Sequence, residues 1–121
     1  MISVEKSSNL LELMMTSGHP MSVYLEAVEI EPTNDLSVQC RTVAPSSFVR
    51  DTQSGLVHTG FATLLLDTLM GASIYEVLQT AQPVATVGLS INHLRRPQRG
   101  EMIRASAWCI GVHGDIAYVE G

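Results

Sequence analysis

A single carboxylate stands inside an almost wholly apolar helical segment, and this limits what the chain can become. From His58 to Leu78 the sequence reads HTGFATLLLDTLMGASIYEVL. Asp67 follows Leu64, Leu65 and Leu66 and precedes Leu69 and Met70. A helix apolar on most faces belongs in the middle of a fold. Aspartate is almost never fully buried unless something pairs with it or uses it. The segment is therefore expected to be a central helix and Asp67 a working residue. The structural alternative is a hydrogen bond to the Thr63 hydroxyl one turn back, or a path to solvent.

The segments around this helix read as strands. Ser3 can cap a first helix running to about Thr16, ended by Gly18 and Pro20. Ser22 to Glu31 is expected to be a strand, with a bulge where the apolar parity shifts from Val23 and Leu25 to Val28 and Ile30. A turn at Pro32-Thr33-Asn34-Asp35 leads to Leu36, Val38, Cys40 and Thr42, which alternate with polar residues as in a half-buried strand. Residues 45–56 form a polar loop. Beyond Pro83, residues 84–95 read as a strand with Val87, Leu89 and Ile91 on one face. After a turn at 96–100, residues 101–112 form a strand with Ile103, Ala105, Ala107 and Cys109 on one face. His113-Gly114-Asp115 is a hairpin turn into a last strand. Hairpin-length connections imply an antiparallel sheet. The order helix, two strands, long helix, three strands is an α+β layout, an antiparallel sheet wrapped around one long helix. The last strand is short for its sheet, so the closing strand is expected to be incomplete, leaving an edge in need of cover.

The chain has 121 residues, enough for one domain and one core. No uninterrupted apolar run reaches the ~20 residues of a bilayer span, and no secretory signal is visible. Cys40 and Cys109 have no metal-type spacing, and free thiols fit a reducing cytoplasm. His19, His93 and His113 are scattered too widely for a metal site. No metal or cofactor is expected. The net charge of −5 weighs against nucleic acid as a partner. Of seven basic residues, Arg95, Arg96, Arg99 and Arg104 fall within ten positions. Arginine suits phosphate because its planar fork matches the oxygens. Trp108 is expected to pack on its strand, and Glu76, opposite Asp67 on the helix, to lie at the surface.

The start of the long helix carries a second signal. Asp51 to Gly60 reads DTQSGLVHTG. Gly55 permits a backbone turn, and Gly60 lets another group approach the first helical turn closely. A helix N-terminus offers unpaired N–H groups and the positive end of the dipole. That combination polarises a carbonyl and stabilises the oxyanion formed when it is attacked. Gly60 and Asp67 face the same way but lie ~10 Å apart along the axis, so one small carbonyl cannot easily touch both. Two antiparallel copies would bring the N-terminus of one helix to the middle of the other, a symmetric dimer with two shared sites. His58 can be read as a base in its own right, but a structural role is favoured because its nearest acid, Asp51, has no defined orientation.

The segment G-x-x-H-T-G-x-x-x-x-L-x-D-T-x-x-G, Gly55 to Gly71, resembles the hotdog-fold acyl-CoA thioesterases, in particular the phenylacetate-pathway type. That subgroup typically has G-x-x-H-G-G-x-x-x-x-L-x-D. A second match, TVGLSINHLRRPQRGE over residues 86–101, is similar to the strand and turn that follow the helix in those proteins. The resemblance implies a hotdog fold and hydrolysis of an acyl-CoA thioester to free acid and coenzyme A. It makes Asp67 the base or nucleophile and gives position 59 the oxyanion N–H, with His58 and Gly60 shaping that turn. Thr86 falls where some members place a hydroxyl beside the attacking water. Arg95, Arg96 and Arg99 would hold coenzyme A. The implied partners are the acyl-CoA substrate and a second copy of the chain, in a homodimer and a dimer of dimers, with no nucleic acid or membrane. Three positions depart from the pattern. Thr59 replaces the first glycine of the pair. Thr52, with Gln53 next to it, stands where a polar Asn or Gln helper is usual. The closing strand is short. Two other readings stay open: a non-catalytic acyl-CoA-binding or regulatory domain, and an acyl-thioester hydratase. The hydratase usually carries a D-x-N-P-x-H loop, whereas here Asp51 and His58 lie seven apart with no Asn-Pro between them.

Overall fold

A computed structural model describes residues 22–25, 29–80 and 82–121. The expected helix from Ser3 to Thr16 lies outside the described residues. A 3-10 turn at Ser22–Leu25 precedes β1 (Glu29–Pro32) and β2 (Ser37–Val43). A second 3-10 turn at Ser46–Phe48 leads to α1 (Thr59–Leu78), and the chain continues through β3 (Met102–His113) and β4 (Ile116–Glu120). The four strands form one antiparallel sheet in the order β1-β2-β3-β4. One long helix against an antiparallel sheet is the hotdog arrangement expected from the sequence.

Alternation builds the inner face of this sheet. Val38, Cys40 and Thr42 of β2 are buried, and Ile103, Ala105 and Ala107 point the same way from β3. The register pairs Cys40 with Ala105 and Val38 with Ala107. Small residues on β3 let the helix come close. Phe61, Leu65, Leu69 and Ala72 recur at helical spacing and form the stripe of α1 that meets the sheet. Leu69 is wholly buried, a contribution of ~1.5–3 kcal/mol. Edge-to-face contacts of Phe48 with Tyr24 and Phe61, at ring-centre distances of 5.5 and 5.1 Å, close the end of the core next to the helix start.

The structure corrects several expectations. Glu76 is not at the surface: it is only 4% exposed. It does lie opposite Asp67, but the stripe opposite Asp67 is the one that packs on the sheet. Asp67 itself is half-buried on the face turned away from its own sheet, in line with Gly60. Ser22 to Glu31 is not one strand; its first part is a 3-10 turn and pairing with β2 begins at Glu29. Leu36 belongs to the turn before β2, with φ 63° and 53% exposure. Trp108 projects from the outer face of β3 and is 42% exposed.

Residues 84–95 do not form a strand. The pattern is right, but a strand needs a neighbour, and no backbone hydrogen bond joins this segment to any other described residue. Val87 is 89% exposed and Leu94 95%. The absence of an uninterrupted apolar run also understated α1. Counted as a helix, Thr59–Leu78 is long and apolar enough to cross a membrane by length and composition.

Candidate active site

The Thr59–Gly60 turn is held from several sides. The Gly55 φ of 66° turns the chain into it. The His58 N–H donates to the Phe48 carbonyl at 2.7 Å, and the Val57 N–H to the Pro97 carbonyl at 2.9 Å. The Arg99 N–H donates to the Gly55 carbonyl at 2.7 Å. His58 is the helix N-cap, its Nδ1 accepting the Gly60 N–H at 2.9 Å. That nitrogen is therefore engaged with the backbone at the helix start. The Phe61 N–H turns back to the His58 carbonyl. The N–H of Thr59 makes no hydrogen bond to any other described residue. The turn thus presents one open amide at the positive end of a twenty-residue helix.

Asp67 lies two turns along the same helix. Its Oδ1 accepts a hydrogen bond from the Thr86 hydroxyl at 2.6 Å. Oδ2 has no hydrogen-bond partner among the described residues, which leaves it free for water. Thr86 therefore anchors the exposed 84–95 segment across the open face of α1. Val84 adds an apolar contact there, lying 3.9 Å from where a Cβ on Gly71 would be.

The arginine turn is partly committed to itself. Arg95 grips Glu101 with two hydrogen bonds, of 3.1 and 2.9 Å. Glu101 Oε1 also accepts the Gln98 N–H at 2.9 Å. The Arg95 guanidinium, and after it the Gln98 amide, holds the Glu101 carboxyl below the usual range, and Glu101 in turn raises Arg95. Arg96 Nε donates to the Val57 carbonyl at 3.0 Å. The Arg99 side chain has no hydrogen bond to a described residue.

Gln53 and Thr52 are exposed in the turn that precedes Gly55. The Gln53 N–H donates to Asp51 Oδ1 at 3.0 Å, and neither side chain makes a hydrogen bond to the Thr59 turn or to Asp67. The Ser54 hydroxyl, then the Gln53 and Ser54 amides, hold the Asp51 carboxyl low. Asp51 thus shapes its own loop and does not orient His58.

A cavity of about 500 Å³ opens beside the helix start, lined by His58, Thr59, Phe61, Leu65, His93 and Trp108 among others. Asp67 is not among its lining residues. Within one chain the open amide and the carboxylate therefore face different spaces. Two ties were invisible to sequence reasoning: Arg96 to Val57, which spans thirty-nine positions, and Phe48 to His58. Neither belongs to a local motif.

Comparison with known proteins bears on the fold and the family. No curated protein matches the sequence. Among solved structures, zebra fish thioesterase superfamily member 2 is similar with a TM-score of 0.77 at 18% identity, over 98% of this chain and 83% of that one. The mouse thioesterase superfamily member 2 gives 0.75 at 19% identity, over 98% and 83%. A phenylacetic acid degradation-related protein from Ralstonia eutropha gives 0.71 at 20%, over 92% and 85%. At these identities the likeness establishes the fold. The family model of the thioesterase superfamily matches residues 54–121, more than half of the chain and the part that holds the helix, the Thr59 turn and Asp67. The chain belongs to the thioesterase superfamily.

Proposed function

We propose that this protein hydrolyses an acyl-CoA thioester at a site shared between two copies of the chain. The observation that carries the reading is the Asp67 carboxylate, half-buried in an apolar helix, with one oxygen held by Thr86 and the other without a hydrogen-bond partner among the described residues. In the proposed reaction the thioester carbonyl oxygen accepts the Thr59 N–H. Water attacks the carbonyl carbon while Asp67 takes its proton, or Asp67 attacks directly and water resolves the resulting anhydride. The tetrahedral oxyanion collapses, the C–S bond breaks, and the sulfur leaves as the thiol of coenzyme A with a proton returned from the site.

The separation of the two groups supports a shared site. Thr59 and Asp67 are eight residues apart, ~12 Å along the axis, and the cavity beside Thr59 excludes Asp67. An antiparallel second copy would supply the missing group to each site. Val87, next to the Thr86 that bonds Asp67, is exposed apolar surface that such a copy would cover. Within the 95–99 turn, Arg99 is proposed to hold a coenzyme A phosphate. Arg99 is the most available, since Arg95 is paired with Glu101 and Arg96 with Val57. The Thr59 side chain narrows the approach to the amide and favours an acyl group that is slim next to the carbonyl.

The test is thiol release from short, long and aryl acyl-CoA thioesters by the wild type and by Asp67→Asn. The substitution keeps shape and removes basicity, so turnover should fall by roughly 10² or more. Near-wild-type turnover in a folded Asp67→Asn would sink the assignment. Tight acyl-CoA binding without thiol release would indicate a binding domain. Hydration of an enoyl-CoA without thiol release would indicate a hydratase.

A further inference from the structure

We infer that Arg96 is a positioning residue for the oxyanion turn, holding the Val57–His58 peptide so that the Thr59 amide is aimed at the reacting carbonyl. This rests on the thioesterase reading above and assigns Arg96 a task other than holding phosphate.

The argument begins with the ties of the turn. The Val57 N–H, the His58 N–H and the Gly60 N–H are bonded to Pro97, Phe48 and the His58 ring respectively. The Val57 carbonyl is the exception in kind. Its partner is a charged side chain, Arg96 Nε at 3.0 Å, rather than main chain or a neighbouring ring. Val57 is 1% exposed, so water is poorly placed to replace that donor. A carbonyl deprived of its donor in such a place is costly to leave alone.

The carbonyl of Val57 and the N–H of His58 belong to one peptide plane. Arg96 grips one edge of that plane and the Phe48 carbonyl grips the other. Without Arg96 the plane is held on one side only and can rock. Its motion passes through the His58 Cα to the next peptide, which carries the Thr59 N–H. An oxyanion donor works through direction, and small misplacement is costly in rate. Arg96 also lines the cavity beside Thr59. The aim of the Thr59 amide acts on the transition state more than on the bound substrate. It predicts a fall in kcat rather than a rise in KM.

Arg99 gives the contrast. Its N–H braces Gly55, but its side chain makes no hydrogen bond among the described residues, so Arg99→Ala should raise KM for a full acyl-CoA. Arg96→Ala should lower kcat about tenfold or more, with KM within about threefold. The loss should be equal on acyl-CoA and on an acyl thioester of N-acetylcysteamine, which carries no phosphate. Added guanidinium ion should restore part of the lost kcat, a response that general loosening of the fold would not give.

A raised KM on acyl-CoA alone, at unchanged kcat, would make Arg96 a phosphate ligand and overturn the inference. Wild-type kinetics, or a kcat loss that guanidinium does not relieve, would also overturn it. Should Arg96→Ala fail to fold, Arg96→Lys is decisive. It keeps the charge but not the planar Nε donor, so a several-fold loss of kcat supports the role and wild-type kcat refutes it. If the wild type releases no thiol from any thioester, the proposed function fails separately. Arg96 is then judged by amide hydrogen exchange at residues 57–60. Exchange at least tenfold faster in Arg96→Ala upholds the positioning role, and unchanged exchange overturns it.

Discussion

Replacing Thr86 with Val tests the link between the exposed segment and the carboxylate. Valine keeps the branched shape and removes only the hydroxyl. The lost bond is 2.6 Å long, within the range of hydrogen bonds from a hydroxyl to a charged carboxylate. Such bonds contribute ~1.5–3 kcal/mol. Thr86 is exposed and Asp67 only half-buried, so water competes and the low end applies, ~1.5 kcal/mol. If the whole of it bears on how Asp67 meets the transition state, kcat falls about tenfold. The assay is thiol release at saturating thioester, with melting temperature measured in parallel. For a chain of this size 1 kcal/mol corresponds to about 4 °C in Tm, so losing the whole bond should lower Tm by no more than about 6 °C. Thr86→Ser retains the donor and should stay within about threefold of wild type. Wild-type kcat in Thr86→Val, alongside an inactive Asp67→Asn, would refute the idea that Thr86 orients the carboxylate. A Tm drop well beyond about 6 °C would mean that the variant reports on packing instead.

Two further outcomes follow from the same geometry. A Cβ on Gly60 would sit 2.9 Å from His58 Nδ1, so Gly60→Ala should disable the turn; mixed and re-equilibrated with Asp67→Asn, it should restore roughly a quarter of wild-type activity, because half of the dimers are mixed and one of their two sites is intact, whereas no recovery would argue for sites built within one chain. The Glu101 carboxyl is held below its ordinary value of 4.5 by Arg95, so its pairing stabilises the 95–101 turn above that pH and is lost as pH falls through the lowered value; amide exchange at Gln98 should quicken below about pH 4.5 in the wild type and show no such step in Glu101→Gln.

The parts of the fold legible in the sequence are those fixed by local pattern. The apolar run from Phe61 announced α1. The alternation of Val38, Cys40 and Thr42, and of Ile103, Ala105 and Ala107, announced β2 and β3 and the face they bury. What failed depended on partners. Residues 84–95 have a strand's pattern, but a strand is defined by its neighbour, and none lies beside it among the described residues. Glu76 was placed correctly relative to Asp67 and wrongly relative to solvent. A helix apolar on all sides does not say which stripe meets the sheet. The isolation of Asp67 and the glycine at position 60 were visible as oddities of composition. The hold of Arg96 on Val57 was not, because a contact across the fold leaves no spacing to read.

The make-up of α1 has a consequence before folding begins. A newly made helix of this length and apolarity resembles a membrane span by length and composition. Near its middle stands Asp67. On insertion scales an aspartate at the centre of a span costs ~2.5–3.5 kcal/mol, offsetting the contributions of several leucines. The carboxylate assigned here to chemistry is thus also the residue in the segment that weighs most against lipid. A variant chosen to abolish activity with a neutral apolar residue, such as Asp67→Leu, would remove that weight as well. For the catalytic test, Asp67→Asn is the better choice because it leaves a polar group in place.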